Sequence, residues 1–384
     1  MSKKKVKRKE ASFILEPDGF SIHTFELSRQ LTKREYHAVK DALYRQSEYD
    51  DKGLIYKDRN SGKHICTRYA KYGIRIELAH NSHDDKDSHF VRMLANPRKL
   101  IEPGASYLGI LPPVRTSVNR VADAFAELFH GTALESDIKA YKLRRVDLCT
   151  NIRCDNGKLF REMVRALRKL PTPPKYERRF YKHKDKKKAN RYNKHYLRFH
   201  CGTHELVIYD KTYQMRENGL VVAYEKLPEG VLRFEVHCER EYLRRIEKQS
   251  GKPDTKKLLW QLIQESEERI ISHFSRCFPD ASFTRKEELD AFIKTSRYRE
   301  ATKEAMLELA KRLQRIQSVD KALEKMKKDG YHTDDLLEKF EKLKISPIPL
   351  WRNFCAKRLP GPVELLKGMS DGGVKVEYVK VKYK

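Results

Sequence analysis

The sequence predicts an α+β fold in which two related β-sheet and helix units are followed by a mostly helical C-terminal domain. Period-2 alternation of apolar and polar residues recurs up to about residue 255, and helical periodicity dominates from residue 256 onward. We therefore divide the chain into a basic tail (1–12), an N-terminal α+β unit (13–135), a second α+β unit (136–255) and a helical domain with a basic tail (256–384).

The two units are predicted to repeat one order of elements: a strand, a helix, hairpin-like strands and a final strand. The first unit has the alternating segment 21–27, a helical segment 32–45 and a strand at 74–78; the second has 143–150, 157–170 and 232–236. Because IRIEL at 74–78 resembles LRFEV at 232–236, we expect a duplication in which these two strands are equivalent. Chance similarity between short strand patterns is the alternative.

The charge balance indicates a polyanionic partner. The chain of 384 residues has 82 Lys and Arg against 54 Asp and Glu, a net charge of +28, which favours nucleic acid. No apolar run approaches the roughly 18 residues that a membrane helix needs, so no membrane partner is expected. Seven cysteines without a CxxC pair predict free thiols and a cytoplasmic location. The P-loop pattern of an ATPase is missing from the sequence.

One segment before the strand at residue 197 combines cations with aromatic rings. Phosphates attract cations, and unpaired bases stack on aromatic faces, so this combination is typical of a surface that binds single-stranded DNA. A solvated loop is the alternative. The residues predicted to contact DNA are Lys175, Arg178, Arg179, Tyr181, Lys186, Lys187, Lys188 and Arg191.

Two carboxylates occur in strand patterns of the second unit where apolar residues are expected. Asp147 lies in the strand pattern RRVDL, and Glu235 lies in LRFEV. Carboxylates on neighbouring strands suit Mg²⁺ or Mn²⁺, and His237, two residues beyond Glu235, is predicted on the same face as a third ligand. The alternative is a pair of structural ion pairs, with Arg145 for Asp147 and with Arg233 for Glu235.

The predicted nucleophile is Tyr209, in the sequence LVIYDKTY. Lys211 lies two residues further on, which puts it on the same strand face, where an ammonium group favours a phenolate or contacts a phosphate oxygen. Arg233 is predicted to help Lys211 stabilise the negative charge that develops on the phosphate. Tyr213 and Tyr242 remain alternative nucleophiles.

The order of these motifs resembles that of the gene II replication initiators of filamentous phages and related phage or plasmid replication proteins. The matching segments are Arg145 to Asp147 followed by a helix, 206–211 (LVIYDK), and 231–235 (VLRFE) leading to Tyr242. Segments 76–109 and 329–350 also have counterparts, so the resemblance covers most of the chain. The segment before the tyrosine strand is far more basic here than in that family.

This resemblance implies a replication-initiator catalytic core that starts rolling-circle replication by nicking one strand of single-stranded or locally melted origin DNA. The protein would become joined to the 5′-phosphate through Tyr209, with Lys211 beside it and a divalent cation held by Asp147 and Glu235. A separate helicase and a DNA polymerase would extend the product in the cytoplasm of a bacterial host. A non-catalytic origin-binding initiator, a relaxase of a mobile element and an RNA-binding protein are the alternatives.

Overall fold

The computed structural model describes residues 6–48, 54–83, 86–221, 225–351 and 354–381. Within these residues the fold is mixed α+β, as the sequence predicts: one large antiparallel sheet is combined with many helices. Residues 1–5 and 382–384 of the predicted basic tails lie outside the described residues.

The longest of the strands is β1, with 26 residues. They are β1 (Val6–Leu31), β2 (Ile55–Lys57), β3 (His64–Cys66), β4 (Ile74–His83), β5 (Lys86–Ala95), β6 (Lys142–Cys154), β7 (Glu177–Arg179), β8 (Tyr196–Cys201), β9 (His204–Asp210), β10 (Gly230–Cys238), β11 (Phe283–Thr284), β12 (Arg358–Leu359) and β13 (Val374–Val381).

The helices lie between these strands and dominate the last third of the chain. They are α1 (Lys33–Glu48), α2 (Pro97–Ile101), α3 (Arg115–Phe129), α4 (Gly157–Leu167), α5 (Lys186–Tyr192), α6 (Lys211–Glu217), α7 (Arg240–Gln249), α8 (Thr255–Gln264), α9 (Ser266–Cys277), α10 (Lys286–Thr295), α11 (Glu300–Arg312), α12 (Val319–Lys328), α13 (Leu336–Lys342) and α14 (Pro362–Ser370).

The large sheet consists of two halves with the same strand order. One half runs β1-β5-β4-β3-β2 and the other runs β6-β10-β9-β8-β7, and β1 pairs with β6 at the centre. One detail of the predicted duplication is wrong. The strand that lies beside β1 is β5, so β5 and not β4 (which contains 74–78) takes the place of β10. The similarity of IRIEL and LRFEV therefore does not reflect equivalent positions.

The second half of the sheet has one apolar and one polar face, because side chains alternate along each strand. Leu148, Leu206 and Phe234 are buried on the apolar face, and the ring centre of Phe234 lies 5.4 Å from that of Phe274 on α9. Helices α8 and α9 therefore cover this face. The polar face carries predicted catalytic and metal-binding residues. Three rows of directly paired residues cross it: Asp147–His237–Glu205–His200, Cys149–Glu235–Val207–Arg198 and Asn151–Arg233–Tyr209–Tyr196.

Residues 6–12, which the sequence analysis assigns to a basic tail, form the beginning of β1. They pair with β13, where apolar and charged residues mostly alternate along 374–381, as is typical of a strand. Ala11 and Phe13 of β1 are buried together with Val376 of β13. Burial of these apolar side chains explains why a segment so rich in lysine is ordered as a strand.

The helical last third of the chain contacts the second unit just after α4. The side chain of Lys169, just after α4, donates a hydrogen bond to the carbonyl oxygen of Leu313, after α11. The backbone N–H of Val319 donates to the carbonyl of Lys169 at 3.0 Å, and the hydroxyl of Thr172 donates to Asp320 at 2.7 Å. We call these contacts the seam. Among the described helices, none combines the length and the apolar character needed to cross a membrane.

Candidate active site

The polar face of the second unit buries a tyrosine against a carboxylate. Tyr209 on β9 and Glu235 on β10 are 4% and 5% exposed, and the phenol hydroxyl donates a hydrogen bond of 2.8 Å to Oε1 of Glu235. Burial, and then the negative charge of Glu235, raise the pKa of Tyr209 well above its ordinary value. Tyr209 is therefore a neutral phenol whose proton already points at a carboxylate.

Glu235 is linked through His237 to a second carboxylate, Glu205 of β9. Nε2 of His237 donates to Oε2 of Glu235 at 2.8 Å, and Nδ1 lies 3.3 Å from Oε2 of Glu205. Burial acts to lower the pKa of His237, but the carboxylates of Asp147, Glu205 and Glu235 raise it to about 10. Burial would raise the pKa of Glu235, but the hydrogen bond and charge of His237 hold it below its ordinary range. The pair is therefore an imidazolium bound to a carboxylate.

The predicted cations Arg233 and Lys211 are both buried in this cluster. Arg233 donates through Nε to the side chain of Asn151 at 2.7 Å and through Nη2 to the carbonyl of Leu108. Lys211 does not continue the strand as predicted: β9 ends at Asp210, and Lys211 begins α6. Its ammonium group donates to Gln214 at 2.7 Å, while burial, and then Arg233, lower its pKa well below the ordinary value.

The predicted metal ligands do not form a ligand set as they stand. Both oxygens of Asp147 accept hydrogen bonds from Arg145, at 2.8 and 2.9 Å, which is the structural ion pair that the sequence left as the alternative. Both ring nitrogens of His237 face carboxylates, Nε2 that of Glu235 and Nδ1 that of Glu205. Among the described residues, no group of three or more His, Cys, Asp or Glu side chains is arranged to hold a metal ion.

Two further members of the cluster were not predicted. Glu205 on β9 accepts from Arg179 at 3.0 Å and from Arg198; burial would raise its pKa, but its hydrogen bonds with His237 and Arg198 lower it to about 2. Glu205 alternates with Val207 and Tyr209, so strand periodicity could have found it. His23 comes from β1 in the other half of the sheet, and only the paired structure places it here.

The alternative tyrosines have other surroundings. The ring of Tyr213, on α6, stacks on His195 at 3.8 Å, and its buried hydroxyl has no hydrogen-bond partner among the described residues. Tyr242, on α7, has its hydroxyl 3.0 Å from Nε2 of His273 and accepts a hydrogen bond from Arg269. Neither of them contacts Glu235 in the described contacts, so Tyr209 is the tyrosine that the structure pairs with a carboxylate.

The basic segment, residues 175–196, lies beside this site. It is not one loop: β7 and α5 form within it, and the side chain of Asn193 bonds both backbone groups of Tyr181, at 2.8 and 3.0 Å. The ring of Tyr181 lies 4.4 Å from that of Tyr192, Tyr192 lies 5.4 Å from Tyr196, and Tyr196 lies 5.6 Å from Tyr209. A continuous series of rings therefore leads from exposed Tyr181 to buried Tyr209.

The predicted DNA-contacting residues fall into two groups. Two of them already have partners: Arg178 donates to the carbonyls of Arg168 and Leu170, and Arg179 pairs with Glu205. The others are exposed on the basic segment, where they are free to contact a polyanion; they are Lys175, Tyr181, Lys186, Lys187, Lys188 and Arg191.

Comparison with protein-family models finds no match for the chain, and comparison with curated proteins finds none either. The resemblance to phage and plasmid replication initiators therefore remains a prediction based on short motifs and their order.

Proposed function

We propose that the protein nicks and rejoins single-stranded or locally melted origin DNA through a covalent 5′-phosphotyrosine, and so initiates rolling-circle replication. The observation that carries this proposal is the hydrogen bond from the Tyr209 hydroxyl to Glu235, inside a cluster that also contains Arg233 and Lys211. A nucleophile, a proton acceptor and buried cations at one place are what phosphodiester transfer requires.

In the proposed reaction, the phenol oxygen of Tyr209 attacks the scissile phosphorus in line with the leaving 3′-oxygen. The new bond joins phosphorus to the phenol oxygen, and the bond between phosphorus and the 3′-oxygen breaks. The phenol proton passes to Glu235, and the leaving 3′-oxygen is protonated to a 3′-hydroxyl by solvent water. Attack of a 3′-hydroxyl on the phosphotyrosine reverses these steps, so rejoining needs no ATP.

The charge that develops on the phosphate would be met by Arg233, with Lys211 close to it. Arg233 has an N–H to spare, because Nη1 is buried and has no hydrogen-bond partner among the described residues. Since Asp147 is held by Arg145, no step is assigned to a metal. The requirement for Mg²⁺ or Mn²⁺, with Asp147, Glu235 and His237 as ligands, remains a prediction for the assay below.

The basic segment would hold the DNA strand. The exposed cations on α5 would neutralise phosphates, and the rings of Tyr181 and Tyr192 would stack on unpaired bases next to the site. A helicase, a DNA polymerase and a cytoplasmic location in a bacterial host complete the proposal. The helicase, the polymerase and the bacterial host follow from the resemblance alone, whereas the cytoplasmic location also follows from the cysteine pattern.

The proposal is tested by trapping the covalent product. A pool of random single-stranded oligonucleotides, labelled at the 3′ end because the 3′ fragment would stay on the protein, is incubated with the protein and Mg²⁺, Mn²⁺ or EDTA. Denaturing gels then separate labelled protein from free oligonucleotides, and sequencing of the protein-bound DNA identifies the nick site. We expect a labelled band that disappears with Tyr209→Phe and weakens strongly with Glu235→Gln.

The matched control is Tyr141→Phe, which also removes a buried phenol hydrogen bond, here to the carbonyl of Glu135 at 2.9 Å. It should keep the labelled band. A band that survives Tyr209→Phe but vanishes with Tyr213→Phe or Tyr242→Phe would transfer the nucleophile role to that residue. Tight DNA binding without any band, with or without metal, would refute the nicking activity and favour an initiator that only binds.

A further inference from the structure

His23 reaches the site from the opposite half of the sheet, at an irregularity in β1. In the pairing of β1 with β6, Ile22 lies opposite Leu148 and Thr24 lies opposite Asp147, so His23 is an extra residue without a partner. Alternation from Ile22, on the apolar face, puts His23 on the polar face, and the bulge puts Thr24 on that face as well. The imidazole of His23 lies near Glu235 there, with Nδ1 of His23 3.8 Å from Oε1.

The two ring nitrogens of His23 have different surroundings. Nδ1 lies 2.9 Å from the hydroxyl of Thr24, whereas Nε2 is buried and has no hydrogen-bond partner among the described residues. Nη1 of Arg233 is in the same situation, and it lies 3.9 Å from the same oxygen of Glu235. Leaving a buried nitrogen without an acceptor destabilises the folded protein. Both side chains reach Oε1 of Glu235, His23 through Nδ1 and Arg233 through Nη1, so each brings a nitrogen that lacks an acceptor into the same cluster.

The position of His23 also suits an incoming group. Its side chain is 17% exposed, compared with 11% for His237, 6% for Glu235 and 0% for Arg233. A ligand that approaches Tyr209 from solvent would therefore meet His23 before it meets Arg233.

We infer that Nε2 of His23 and Nη1 of Arg233 bind the two non-bridging oxygens of a phosphodiester placed for attack by Tyr209. The inference rests on the proposed function and adds a substrate contact from the first unit. A phosphodiester has the two acceptor oxygens that two separate donors require, and its negative charge suits the cations around it. The tautomer required is the one in which Nδ1 accepts from Thr24 and Nε2 carries the hydrogen.

The test measures the rate of adduct formation in a single turnover, on DNA with either phosphorothioate diastereomer at the nick site. We expect His23→Ala to slow the reaction on the phosphodiester about 100-fold and to reduce the difference between the two diastereomers. His23→Gln, which keeps an N–H donor, should restore part of the rate. His64→Ala is the control, since His64 also lies in the first unit but contacts Tyr44.

A His23→Ala rate equal to that of the wild type would overturn the inference. So would an equal loss on both diastereomers that Gln does not restore. If the wild type forms no adduct, the proposed nicking activity is refuted. Whether His23 contacts the DNA phosphate is then tested by DNA binding alone. In that case DNA affinity is compared between wild type and His23→Ala by fluorescence anisotropy. Weaker binding by about fivefold or more supports the contact, and unchanged binding refutes it.

Discussion

Lys169 provides a quantitative test of the seam between the second unit and the helical domain. Its side chain is 2% exposed and donates to the carbonyl of Leu313. Burial, and then the nearby Arg165, lower the pKa of Lys169 from 10.5 to about 8, while Glu162 opposes this change. Because the folded state holds the proton more weakly than the unfolded state does, the folded protein gains stability as pH rises from about 8 towards 10.5.

The size of this effect follows from the pKa difference. A difference of about 2.5 units at about 1.4 kcal/mol per unit gives about 3 kcal/mol. Lys169→Met removes the titrating group, so the variant avoids a penalty that the wild type carries at neutral pH. We therefore expect the free energy of unfolding of the variant, minus that of the wild type, to be about 2.5 kcal/mol larger near pH 7 than near pH 10, where part of the effect remains because pH 10 is below 10.5.

The measurement is urea unfolding followed by circular dichroism at several pH values between about 7 and 10. All other groups titrate equally in both proteins, so the difference between them isolates Lys169. Lys327→Met is the control, since that lysine on α12 is 75% exposed, and its effect should stay within about 0.5 kcal/mol at every pH. If the difference in free energy of unfolding between Lys169→Met and wild type does not change with pH, the lowered pKa of the buried Lys169 is refuted.

Two further predictions concern packing and DNA binding. In Gly230→Ala the new Cβ would lie 2.3 Å from the ring of Phe160, so we expect urea unfolding to show a loss of stability of about 1–3 kcal/mol. The control Gly202→Ala, whose new Cβ would have nothing within 4 Å, should change the stability little. Equal losses in the two variants would contradict the close contact at Gly230. Replacing the four exposed cations of α5 with Ala should weaken binding of single-stranded DNA and reduce the salt slope by up to about 3. The same result from replacing the four lysines of α12 would show that the effect is only net charge.

Strand periodicity was enough to find most of the candidate site. Alternation along β10 puts Arg233, Glu235 and His237 on one face, and the contact between His237 and Glu235 agrees with that prediction. The same rule brings Tyr209 of β9 to this face, directly opposite Arg233. These residues could be predicted because their positions depend only on the period of a strand.

The remaining features depend on partners that are far away in the sequence. His23 enters the site only because β1 pairs with β6, which brings a residue of the other half of the sheet beside Glu235. The equivalence of β5 and β10 is a property of strand order, which local sequence similarity does not determine. In each case the sequence supplies the residue, and the long-range pairing determines its contacts.

The pairing of β1 with β13 has a consequence for how the chain folds during synthesis. Residues 6–13 are synthesised long before their partners at 374–381, so the beginning of β1 stays unpaired while the residues between them are translated. Pairing across such a sequence separation is slow, and an unpaired strand is prone to aggregate. Two lysines and one arginine occupy positions 7–9. Their positive charge repels the same segment of other nascent chains while this strand is unpaired.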